Sequence, residues 1–217
     1  MERPAAVFWD MDGTLVDTEP YWSECEHELI HAHGGTWTEA DALSLVGFDL
    51  RDAAAEIRDR GGVDLEPAEI VDILLDGVVR RVAEHLPWRP GARELLTACR
   101  DAEVPCVLVT MSWRRLAEAM LDAAPTGSFT AAVTGDEVTH GKPHPEPYAK
   151  AAADLGVDPG DCVAIEDSPT GVTSALAAGC ATLGVPHKVP LPPADGLTLV
   201  DSLVGMDVDD LARLVPR

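Results

Sequence analysis

Basic side chains are scarce in this sequence: 16 Lys and Arg stand against 38 Asp and Glu, a formal net charge of −22 at pH 7. That shortage excludes the basic face that nucleic acid or an anionic membrane surface requires, so neither is expected as a partner. Long apolar runs are missing as well. The longest are strand-sized and broken by charges or prolines, which leaves no transmembrane helix. At the N-terminus, "MERPAAVFWDMDG" has only a short apolar run before its acids and no signal-peptide core. Cysteine is sparse, odd in number and widely spaced (Cys25, Cys99, Cys106, Cys162, Cys180), with no CxxC pair. This pattern argues against a disulfide framework or a structural zinc site, and a reducing cytoplasm is the expected location. Internal repeats and low-complexity tracts are also lacking. What is left is the composition of an ordinary soluble globular protein, with 217 residues enough for one large domain or one domain with an insertion.

Three segments share one design, a short apolar run that stops at polar residues: "AAVFWD" ending at Asp10, "VPCVLVT" ending at Thr110, and "CVAIED" ending at Glu166 and Asp167. Such near-continuous runs fit strands buried on both faces of a parallel sheet. "CATLGV" and "LTLV" predict two further strands. Helical stretches begin at Gly91, Ser112, Glu146 and Ser168, with Pro169 and Gly179 as start and stop signals for the last. Alternating strands and helices predict a doubly wound, Rossmann-like α/β core. Between about Thr18 and Leu86 the alternation fails. There Val71, Leu74, Leu75, Val78, Val82 and Leu86 recur on one face at helical spacing, and no strand is predicted. The expected organisation is a core of residues 1–16 and 88–217 with an inserted helical domain, residues 17–87. An insert leaving the tip of the first strand is expected to act as a lid that excludes water.

In open parallel sheets, binding sites form at the carboxyl ends of strands. That rule gathers Asp10, Asp12, Thr110, Glu166 and Asp167 into one crevice. So many carboxylates cannot all ionise together without a cation, and an oxygen-only donor set suits Mg²⁺. Each acid alone would read as a helix cap or loop residue; three strand ends loaded alike argue for a site. His27, His31 and His33 read as surface residues of a polar helix rather than a metal cluster, and Trp9 as core packing.

"DMDGTLVDTEP" resembles the first motif of the haloacid dehalogenase superfamily. Thr110 at its strand end, Lys142 in "GKPHPEPY" and "AIEDSPTGV" follow in the family's order. The helical insert resembles the C1-type cap of the branch that holds phosphoglycolate phosphatase and β-phosphoglucomutase. The resemblance implies Asp10 as nucleophile, Asp12 as general acid and then base, and Mg²⁺ held by Asp10, the Asp12 carbonyl and Asp167. Glu166 would bind that ion directly or stand behind it. Thr110 and the Met111 amide would hold the phosphoryl group, with Lys142 neutralising charge. Cap residues Trp22, Gly47, Phe48 and Arg51 would touch the substrate. Trp22 stands where the sugar-phosphate mutases carry a histidine, so water is the expected phosphoryl acceptor. The implied activity is hydrolysis of a small phosphorylated metabolite. A sugar-phosphate mutase and a non-catalytic phosphometabolite-binding protein are the alternatives. A monomer is expected, because motion of a cap over its core needs no partner.

Overall fold

The computed structural model describes residues 3–45 and 50–216. Its chain divides into two compact units, Met1–Asp17 with Pro87–Arg217, and Thr18–Leu86. In the first, β1 (Ala6–Trp9), β2 (Cys106–Val109), β3 (Ala131–Val133), β4 (Cys162–Glu166), β5 (Ala181–Gly184) and β6 (Leu197–Leu199) form one sheet. Their order is β3-β2-β1-β4-β5-β6, and every pairing is parallel. β1, β2, β4 and β5 are buried at every position, as strands covered on both faces must be.

The chain order reverses at the middle of this sheet. From β1 it runs outward through β2 to β3, then returns to lay β4 on the other flank of β1. The register sets Trp9 beside Ile165, so Asp10, which follows β1, and Glu166, the last residue of β4, emerge side by side at the switch point.

β3 has no counterpart among the strands expected from the sequence. Its three residues are Ala-Ala-Val, and only Val133 is fully buried, so no apolar run announces it. Backbone pairing to β2 creates it. The short helix Val208–Ala212 near the C-terminus was likewise not signalled.

Thr18–Leu86 contains, among the described residues, helices α1 (Glu19–Ala32), α2 (Glu39–Ser44), α3 (Leu50–Gly61) and α4 (Pro67–Glu84). Thr38 and Asp41 close a reciprocal capping box that starts α2. Val71, Leu74, Leu75, Val78 and Val82 are all buried along α4, each contributing about 1.5–3 kcal/mol by leaving water. Gly77 lets α1 approach, since a Cβ there would lie 2.5 Å from Cys25 Sγ. Arg81 straps the two helices by pairing with Glu24 at 3.0 Å and Glu28 at 2.5 Å.

In the sheet-containing unit, helices α5 (Ala92–Asp101), α6 (Arg114–Ala123), α7 (Glu146–Leu155) and α8 (Pro169–Ala178) follow the strands, and the C-terminal helix already given is α9. α8 starts where Ser168 accepts a hydrogen bond from the Gly171 N–H, with Pro169 in its first turn. It stops at Gly179, whose φ of 95° is a left-handed cap that only glycine adopts without strain. No helix among the described residues is long and apolar enough to cross a membrane.

Candidate active site

Asp10 follows β1 directly and is almost fully buried. Its N–H donates to the Ile165 carbonyl at 3.1 Å, which fixes the backbone against β4. Lys142 Nζ donates to Asp10 Oδ1 at 2.7 Å, to Glu166 Oε1 at 2.6 Å and to the Val109 carbonyl at 2.9 Å. All three ammonium hydrogens are thus directed to acceptors at the carboxyl ends of β1, β2 and β4. Burial works against the charge on Lys142, but Asp10 and Glu166 outweigh it and hold the group above its ordinary pKa.

Glu166 is completely buried at the end of β4. Besides Lys142, its Oε1 accepts from the Tyr148 hydroxyl at 2.6 Å, and its Oε2 from Ser168 Oγ at 3.3 Å. Tyr148 lies in the core between α7 and the sheet, with its ring 6.3 Å from that of Phe8. Gly171 in α8 leaves space for this carboxylate, because a Cβ there would sit 2.0 Å from it. Gly13 does the same for Asp167. Its φ is 91°, and a Cβ would lie 2.1 Å from Asp167 Oδ2.

Asp10, Glu166 and Asp167 each bring one carboxylate oxygen within 4.8 Å of the others. Burial together with the charges of Asp10 and Glu166 pushes the Asp167 carboxyl up to about 8. Asp10 Oδ2 is buried and has no hydrogen-bond partner. An orphaned carboxylate oxygen beside a second crowded carboxylate, with one lysine already engaged, is a donor set short of positive charge. A hard divalent cation fits it.

Asp12 is partly exposed, and its Oδ2 accepts from Ser112 Oγ at 2.7 Å. Thr110 is buried at the end of β2; its Oγ1 accepts from the Ser112 N–H at 3.0 Å, which leaves the hydroxyl hydrogen to be donated elsewhere. Met111 is half-buried, and its Sδ accepts from the Lys142 N–H at 3.2 Å. The thioether therefore supports the segment that carries the lysine.

The structure thus brings together Asp10, Lys142, Glu166 and Asp167, and it joins Asp12 to the Thr110–Ser112 turn. Sequence reasoning assigned nothing to Ser112 or Tyr148. A tyrosine on the buried stripe of a helix needs a partner for its hydroxyl, and that need was the available signal. In Thr18–Leu86, Trp22 lies half-buried on α1 and Arg51 is exposed on α3. Gly47 and Phe48 lie outside the described residues. Among the three N-terminal histidines, His33 Nδ1 bonds the Leu29 carbonyl at 2.9 Å.

Residues 4–179 match the family model described as haloacid dehalogenase-like hydrolase. Hexitol phosphatase B of Escherichia coli (strain K12) is 32% identical over 199 residues, covering 84% of this chain and 83% of that protein. The phosphorylated carbohydrates phosphatase of Thermotoga maritima is 32% identical over 209 residues, 91% of this chain and 90% of its own. Among solved structures, CbbY from Rhodobacter sphaeroides in complex with phosphate superposes with a TM-score of 0.82 at 26% identity. That match covers 96% of this chain and 99% of the other. With the family model spanning most of its length and relatives above 30% identity along nearly all of it, the chain belongs to the haloacid dehalogenase-like hydrolases.

Proposed function

We propose that this protein is a Mg²⁺-dependent phosphatase that hydrolyses a small phosphomonoester, of the phosphorylated sugar or polyol class, through an aspartyl-phosphate. The observation that carries this reading is Asp10: one carboxylate oxygen is held by Lys142 at 2.7 Å while the other is buried without a partner. A carboxylate oriented in this way is a prepared nucleophile. The substrate class rests on the relatives, whose names refer to hexitol and phosphorylated carbohydrates.

Asp10 and Asp167, with the backbone carbonyl of Asp12, would hold the metal. Glu166 anchors Lys142 through Oε1, and its Oε2, which accepts only from Ser168 Oγ at 3.3 Å, would bind the ion directly or stand behind it. When bound, Mg²⁺ supplies charge neutralisation for the substrate phosphate and its attacking carboxylate. An Asp10 oxygen forms a bond to phosphorus as the bond to the substrate alkoxide breaks. Asp12 gives its proton to that alkoxide, then takes one from the water that cleaves the aspartyl-phosphate and releases inorganic phosphate. Thr110 donates its hydroxyl, and Met111 its amide, to the phosphoryl oxygens. Lys142 stabilises the charge that spreads over them in the transition state. The helical unit Thr18–Leu86 is the cap in this reading, with Trp22, Gly47, Phe48 and Arg51 choosing the substrate.

The test is phosphate release from p-nitrophenyl phosphate and from a panel of sugar and polyol phosphates. Release should require Mg²⁺ and fall by several orders of magnitude in Asp10→Asn. Full activity in Asp10→Asn would remove the proposed nucleophile. Isomerised sugar phosphate without free phosphate would replace hydrolysis by a mutase reaction.

A further inference from the structure

His140 and His144, on the loop that leads into α7, form a second cluster with Glu146, the first residue of that helix, and Lys142 lies between the two histidines in sequence. One ligand atom from each lies within 4.8 Å of the other two. The imidazole rings face each other, with centroids 4.6 Å apart and planes inclined by 32°. His140 Nδ1 lies 2.9 Å from Glu146 Oε2, so an imidazole nitrogen and a carboxylate oxygen already stand about as far apart as two ligands of one ion. Both histidines are exposed, so an ion can reach them from solvent.

The backbone beneath these side chains is already fixed. Glu146 accepts the N–H groups of Thr139 at 2.7 Å and His140 at 2.9 Å. The His144 N–H donates to the Gly141 carbonyl at 3.0 Å, and the buried Ser174 hydroxyl donates to the His144 carbonyl at 2.6 Å. Glu146 Oε1 accepts only the Thr139 N–H, and His144 Nδ1 accepts the Glu146 N–H at 3.2 Å, so that oxygen and the Nε2 of His144 keep lone pairs for an ion while the loop stays ordered.

We propose that His140, His144 and Glu146 form a binding site for a borderline divalent metal of the zinc class, distinct from the acidic cluster at Asp10. Nitrogen donors select Zn²⁺, Ni²⁺ or Cu²⁺ over Mg²⁺, whereas the all-oxygen cluster prefers the hard ion. The two sites therefore separate metals by donor chemistry. An ion held here pins the segment that carries Lys142, two residues from either histidine, and so couples zinc-class metal to the rigidity of that segment.

The experiment is calorimetric titration of the untagged full chain with Zn²⁺ in saturating Mg²⁺, paired with NMR of the histidine side chains. One zinc site per chain is expected, with the His140 and His144 signals shifting and those of the other five histidines still. His140→Ala/His144→Ala should abolish the site, and Glu146→Gln, which removes its anionic ligand, should weaken it. Asp10→Asn should leave it intact, which keeps the outcome independent of the phosphatase reading. Zinc binding that survives the double histidine substitution, or vanishes in Asp10→Asn, overturns the proposal. Unmoved His140 and His144 signals at saturating zinc do so too.

Discussion

At 2.7 Å from Asp12 Oδ2, the Ser112 hydroxyl donates to the carboxylate proposed to protonate the leaving group. A hydrogen bond to such a group contributes about 1.5–3 kcal/mol, and its effect depends on how much the leaving group needs a proton. An alkoxide needs one; p-nitrophenolate does not. Ser112→Ala should therefore lower kcat/KM for an alkyl phosphate about 10–150-fold and leave that for p-nitrophenyl phosphate nearly unchanged. The backbone N–H of residue 112 still reaches Thr110 Oγ1 in the variant, so the phosphate-facing turn is kept. Equal losses on both substrates would reduce Ser112 to a structural role. The convergence of Asp10, Glu166 and Asp167 could be read from the chain because the strand-end rule depends only on where apolar runs stop. Ser112 and Tyr148 could not be read that way. Which atom of a polar turn faces a carboxylate, and which residue of α7 faces β4, depend on rotamer and helix phase, which no run of residues encodes.

Element by element, legibility follows burial. β1, β2, β4 and β5 are covered on both faces and therefore appear as continuous apolar runs, whereas β3 has one buried residue in three and appears as none. α4 shows its core stripe plainly, yet α1 hides a buried acid within a polar-looking segment. Glu26 accepts from Trp37 Nε1 at 3.1 Å, and burial pushes its carboxyl up to about 7. Arg60 sits over the opposite partner of that bond, 5.2 Å from the Trp37 ring. In the unfolded chain Glu26 ionises near 4.5. Between pH 4.5 and 7 the unfolded state loses the proton while the folded state keeps it, so folding weakens as pH rises through that window. Glu26→Gln keeps an acceptor for Trp37 and removes the titration. Its melting temperature relative to wild type should be several degrees more favourable at pH 8 than at pH 4.5, measured by circular dichroism. A difference independent of pH would show that Glu26 is ionised in the folded protein.

Over the whole molecule the surplus of acid acts at two ranges. Diffuse repulsion from a net charge of −22 is screened by any salt, whereas the crowding of Asp10, Glu166 and Asp167 is local and yields only to a bound cation. The two are separable at constant ionic strength. If Mg²⁺ binds the folded state alone, a concentration one hundred times its dissociation constant adds about 2.7 kcal/mol, roughly 5–10 °C in melting temperature for a chain of this size. Asp167→Asn should abolish that increment. Without metal the same variant has the opposite advantage. Because the Asp167 carboxyl is held up at about 8, ionising it above that pH costs the folded state, and a neutral amide avoids the cost. Melting curves at pH 9 should accordingly cross: Asp167→Asn the more stable protein in chelator, wild type the more stable in Mg²⁺. The crossing assigns the ion to this cluster, because general screening would move both proteins together. Parallel curves would place the stabilising cation elsewhere on the acidic surface and leave the three carboxylates without their proposed charge partner.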